Sequence, residues 1–134
     1  MKLYYSKGSC SLAIRITVHE LNIPCEFELV HMKDKTTAKG ENFLTVNPKG
    51  VVPVLILDNG EKLTENVAIQ IYLADTYKNF KLLPPLGDLN RYRVIEWLSY
   101  ASTDLHKSCS PLFNADVPND IKESIFKPLL KNKL

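Results

Sequence analysis

Apolar positions recur along this chain with two different periods, and the periods alternate in a readable order. Lys2 to Tyr5 is a short strand candidate. From Ser11 to Leu21 the spacing is helical, with Leu12 and Ile16 on one line and Ile14, Val18 and Leu21 on another. Asn22-Ile23-Pro24 ends that helix. Glu26 to Val30 alternates as a second strand with one exposed face, and Lys33 to Gly40 is polar and reads as a loop. Phe43, Leu44 and Val46 allow a turn of helix before Asn47-Pro48-Lys49-Gly50. Val54 to Leu57 is a third strand, Asp58-Asn59-Gly60 is a hairpin signal, and Glu61 to Leu63 returns as a fourth strand. Thr64 is positioned to cap a helix from near Glu65 to about Tyr77, where Ala68, Ile71 and Tyr72 recur at helical spacing.

This order predicts an α/β domain of thioredoxin-like arrangement. The first crossover should be parallel and right-handed, while the hairpin is antiparallel, so a mixed four-stranded sheet is expected. Lys78 to Gly87 reads as a linker around Leu82-Leu83-Pro84-Pro85. Beyond it Asp88 can cap a helix whose face carries Leu89, Tyr92, Ile95, Leu98, Ser102 and Leu105, reaching about Ser108. Ser110-Pro111 is expected to break it, and Pro118-Asn119-Asp120 to open a last helix weakened by Pro128. The domains are thus 1–80, α/β, and 88–134, an incomplete all-helical region. The second is thin for a domain and must pack on the first, on a partner, or on something absent from this sequence.

Composition narrows the class. With 45% hydrophobic residues in 134, the chain can build a core, and 24% charged residues fit an ordinary soluble domain. The net charge of +2 comes from interspersed residues without a basic block, so no nucleic-acid partner is indicated. No apolar run has secretory or membrane-spanning length. Cysteines at 10, 25 and 109 have neither disulfide-framework nor metal-ligand spacing, so no metal is expected and a reducing cytoplasm fits best.

The candidate chemistry begins at Tyr4-Tyr5-Ser6-Lys7-Gly8-Ser9-Cys10-Ser11, where a strand turns into a helix. Free N–H groups at a helix start favour negative sulfur, which makes Cys10 a candidate reactive residue; a buried structural cysteine is the alternative. The tetrad Cys10-Ser11-Leu12-Ala13 has no second cysteine, so any thiol exchange would need an external thiol. Pro53 is expected at the edge or first residue of its strand. Glu65 and Asn66 open a helix whose start suits an anion, although plain capping explains them equally. Lys35 by itself is a solvated loop lysine and His106 by itself a helix-surface histidine.

Taken together, the Tyr4–Ser11 stretch, Val46-Asn47-Pro48-Lys49-Gly50-Val51-Val52-Pro53, Leu63-Thr64-Glu65-Asn66-Val67-Ala68-Ile69 and Leu105-His106-Lys107-Ser108 resemble the bacterial beta-class glutathione transferases, from Met1 to about Phe113. The resemblance implies a cis Pro53 with the Val52 backbone holding the cysteinyl part of glutathione. It implies the γ-glutamyl carboxylate at the helix start of Glu65 and Asn66, with Glu65 answering the ligand's amino group and Lys35 its glycine carboxylate. Cys10 would lie beside the bound sulfur with Tyr5 and Ser11 near it. His106 would act over Cys10, and Ser99 and Thr103 would help line the ligand site. Lys7 stands where the family usually has proline, Asn66 where a small residue is usual, and Ser99 where asparagine is frequent. The helical region also stops short of the family's, so the chain reads as truncated within it. The implied function is conjugation of glutathione to small apolar electrophiles by a cytoplasmic homodimer. Glutathione-dependent thiol–disulfide exchange through Cys10, and a non-catalytic remnant, are the rival readings.

Overall fold

The computed structural model describes residues 1–133, which divide into two compact units, Met1–Pro84 and Pro85 onward. The first unit runs β1 (Lys2–Tyr5), α1 (Ser11–Glu20), β2 (Glu26–His31), β3 (Thr36–Thr37), α2 (Phe43–Val46), β4 (Val54–Ile56), β5 (Lys62–Thr64) and α3 (Asn66–Thr76). Its sheet has the order β3-β2-β1-β4-β5. Strand β1 is parallel to β2, and the other neighbouring pairs are antiparallel.

Side-chain alternation explains the layers. Adjacent residues of a strand face opposite sides. Leu3 and Leu55 join Ile14, Val18, Ile23, Ile69 and Leu73 in a core under α1 and α3. Their neighbours Tyr4 and Val54 join Val30, Phe43 and Val52 in a second core on the α2 side. Each fully buried Leu or Ile contributes about 1.5–3 kcal/mol of transfer free energy. On the second face Glu28, opposite Tyr4 in the register, is almost fully buried between the ammonium groups of Lys2 and Lys39, 3.3 Å from each.

The sheet has five strands rather than four. The extra strand, β3, comes from the segment that reads as a polar loop. Two threonines cannot display an alternating pattern; pairing of Thr37 with Val30 and Thr36 with His31 makes them an edge strand. Thr64 is likewise not a helix cap. It ends β5 opposite Val54, and Glu65, with φ 71°, makes the turn into α3.

In the second unit, α4 (Leu89–Tyr100) opens with the Asp88 carboxylate accepting from the Asn90 N–H at 2.8 Å. The chain continues through a π-helical segment, Ala101–His106, into α5 (Lys107–Phe113). Pro111 therefore does not break the helix. It offers no N–H to the widened turn before it, and the Ser110 hydroxyl donates to the His106 carbonyl instead, at 3.3 Å. Next come α6 (Asn119–Ile121), a second π-helical segment (Lys122–Phe126) and α7 (Lys127–Lys131), which follow one another without a break, so Pro128, like Pro111, is carried inside a continuous helical run just after a widened turn.

Candidate active site

The turn between β1 and α1 is held by its own serines. The Ser9 hydroxyl donates to the Ser6 carbonyl at 2.9 Å, and the fully buried Ser11 hydroxyl lies 3.2 Å from both the N–H and the carbonyl of Ser6. Gly8 takes φ 67°, where a side chain would be strained. This bracing delivers Cys10, half-buried, to the start of α1.

Two other segments meet Cys10. Its Sγ donates to the Val52 carbonyl at 3.7 Å, and its own carbonyl accepts from Asn66 Nδ2 at 2.6 Å. The Val52–Pro53 peptide bond is cis, and both residues are buried. Among the described residues nothing accepts from the Val52 N–H. Glu65, one residue before Asn66, carries an exposed carboxylate 3.2 Å from Lys49 Nζ. The first N–H groups of α3 beside it have no partner within the helix.

The structure thus gathers Cys10, Val52, Pro53 and Asn66, with Glu65 adjoining. Lys35, at φ 55°, is not a free loop cation; its ammonium donates to the Gly50 carbonyl at 2.8 Å. The Tyr5 ring packs edge-on to Phe27 and under the Arg15 guanidinium, 4.6 Å from the ring centre. In the second unit Ser99, Thr103 and His106 are exposed. The Thr103 hydroxyl donates to the Ser99 carbonyl at 2.9 Å. The π-helical segment turns the chain less per residue than an α-helix does, so His106 is rotated off the line that α-helical spacing from Ser99 would give it.

One residue that supports the site has no chemical signature in the sequence. Asn47, almost fully buried, donates from Nδ2 to the Val51 carbonyl at 2.8 Å, and its Oδ1 accepts from the Lys49 N–H at 3.2 Å. It holds the loop that ends at Val52. The signals in the sequence are the Asn-Pro turn dipeptide and its place in the Val46–Pro53 motif, neither of which indicates this role. An open depression of about 400 Å³ beside Ser6, Lys7 and residues 29–34 does not include Cys10. Burial pushes the Cys25 thiol up, which separates that cysteine from a reactive role.

The family described as "Glutathione S-transferase, N-terminal domain" matches residues 8–76. Glutathione S-transferase GstA of Escherichia coli O157:H7 is 44% identical over 98% of this chain. The chain belongs to the glutathione S-transferase family. It spans 65% of the length of that relative. Among solved glutathione S-transferases, one from a sphingomonad, complexed with glutathione, superposes with a TM-score of 0.92 at 42% identity, covering 98% of this chain and 65% of that one. The bacterial beta-class enzyme of Sphingomonas chungbukensis gives 0.92 at 41% identity, with the same coverage. The thioredoxin-like glutathione S-transferase fold is therefore common to relatives that are 41–42% identical to this chain.

Proposed function

We propose that this chain binds glutathione in its first unit and serves its conjugation to small apolar electrophiles. The observation that carries the reading is the convergence on Cys10: a buried Val52 whose N–H is unclaimed, and a helix start at Glu65 and Asn66. A glutathione-bound relative of the same fold supports it. In this reading residues 1–80 form the glutathione-binding domain and residues 88–134 belong to the helical domain. The cysteinyl backbone of glutathione pairs with Val52 beside Pro53 as an added strand would. The γ-glutamyl carboxylate takes the free N–H groups of α3, and its ammonium replaces Lys49 as the partner of Glu65. Lys35 receives the glycine carboxylate, and Asn66 borders the γ-glutamyl end. Ser11 and Tyr5 shape the floor through the turn and strand that carry Cys10.

Within such a site the sulfur of glutathione lies beside Cys10, near the start of α1, where partial positive charge favours thiolate. The thiolate attacks the electrophilic carbon: in a substitution the C–S bond replaces the bond to a leaving group, which departs with its electron pair, and in an addition the displaced π pair takes up a proton. His106 is proposed to handle that proton, with Ser99 and Thr103 contributing to ligand contacts. Assembly as a homodimer is part of the same proposal, and a monodisperse monomer at high concentration in sedimentation would oppose it.

Calorimetry with reduced glutathione tests the binding step. Glu65→Ala should weaken binding by about 1–3 kcal/mol, the scale of a charged hydrogen-bond partner. Equal affinity in parent and variant would place glutathione elsewhere, and no binding by the folded parent would end the reading. Conjugation and disulfide-exchange rates for Cys10→Ser, His106→Ala and Cys109→Ser then test the chemistry. The first two should fall and the third should hold. Loss of exchange alone in Cys10→Ser would favour a thiol–disulfide oxidoreductase.

A further inference from the structure

We infer that Asn66 is a positioning residue for Cys10: its side-chain amide ties the starts of α1 and α3 together at the Cys10 carbonyl. This deepens the reading of Cys10 given above. The bond from Asn66 Nδ2 to the Cys10 oxygen is short, 2.6 Å, and links residues 56 apart in sequence. The same carbonyl also accepts from the Ala13 N–H at 3.2 Å, and the Leu12 N–H is turned to the Ser9 carbonyl at 3.1 Å. The first turn of α1 is therefore tighter than the helix behind it, and Cys10 has no side-chain cap of its own. What anchors this turn from outside is Asn66 at the carbonyl and Val52 at the sulfur.

Asparagine suits this tie where a serine or an aspartate does not. A serine at position 66 is one bond shorter and has one donor, so it cannot span the same gap from the same backbone. An aspartate would present only acceptors to a carbonyl oxygen. Because Asn66 immediately follows Glu65, the segment proposed to receive the γ-glutamyl end is bonded directly to the residue carrying the sulfur.

The test needs no glutathione, so its outcome is separable from that of the binding experiment. In a Cys25→Ser, Cys109→Ser background, Cys10 is the sole thiol. Iodoacetamide alkylation should slow about three- to tenfold in Asn66→Ala and Asn66→Asp, the scale of one hydrogen bond. With cysteine labelled at the carbonyl carbon, the single Cys10 resonance should move in both variants. Thr17→Val is the control. It removes the Thr17 hydroxyl's bonds to Gln70 and the Ala13 carbonyl, loosening α1 on α3 without touching Cys10. It should lower the melting temperature and leave the alkylation rate alone. An unmoved resonance, or a moved resonance with an unchanged rate, overturns the inference. So does equal slowing in Thr17→Val, which would make general packing the cause. Asn66→Ser provides a folded comparison should the other two variants unfold, and it too should slow alkylation.

Discussion

The two units bury their apolar residues very differently. Every buried apolar side chain among the described residues lies between Leu3 and Leu83, whereas beyond Pro85 only Arg91 is buried. Trp97 is 68% exposed and Phe113 86% exposed, although both sit in helices. The first unit draws its stability from two faces of a sheet. The helices of the second rest more on local terms: the Asp88 cap, the Arg93–Glu96 pair, and hydroxyls that bond to nearby carbonyls. Local terms are individually small, and burial is the dominant favourable contribution to folding.

The largest effect should come from the sheet-and-helix core. Leu3→Ala or Ile69→Ala should each cost about 2–5 kcal/mol in urea unfolding, as expected for fully buried sites. Trp97→Ala should remain within about 0.5 kcal/mol of the parent, as expected for an exposed position. A Trp97 cost equal to that of Leu3 would break the comparison.

A smaller effect concerns acid stability. Burial pushes the Glu28 carboxyl up, but hydrogen bonds and charge from Lys39 and Lys2 outweigh it and hold the group below its ordinary value of 4.5. A carboxyl depressed in the folded state gives stability that is complete above the unfolded value and lost as pH falls through the folded one. Unfolding curves between pH 7 and pH 3 should therefore show stability declining below about 5. Glu28→Gln should flatten part of that slope, with Glu26, also lowered, keeping a share. In the second unit Asp104 is lowered by Lys133, but this pair is exposed and screened. Asp104→Asn should leave the acid slope nearly unchanged; an equal flattening would contradict the contrast between the units.

The smallest effect is one of labelling. Burial raises the Cys25 thiol, so it should alkylate slowly near neutral pH and faster only in alkali, as read by peptide mass mapping. Rapid neutral labelling of Cys25 would show that its surroundings open.

Most of the first unit was legible because its elements are long enough to show a period or carry a strong turn. Helices α1 and α3, strand β1 and the Asp58-Asn59-Gly60 hairpin all lie within a residue or two of their sequence positions. Strand β3 was not legible, since two residues have no period. The continuation through Pro111 was missed for another reason: a proline's local penalty can be absorbed by a widened turn and a neighbouring serine hydroxyl. In the site, Cys10 stands out by its place at a strand–helix turn, and the family resemblance adds Val52, Pro53, Glu65 and Asn66, but neither indicates what each atom touches.

By itself the sequence determined the alternation of strand and helix, the turn that carries Cys10, and membership in a family whose motifs lie far apart along the chain. Those properties are encoded in local periodicity and in residue identity. Tertiary structure alone decided that the Asn66 amide meets the Cys10 carbonyl, that Lys35 bonds to Gly50, that Asn47 holds the loop before Val52, and that Glu28 is buried between two lysines. Each of these is a directional contact between segments distant in sequence. Its existence depends on strand register and on a few tenths of an ångström of reach, and neither is written in a hydrophobic pattern.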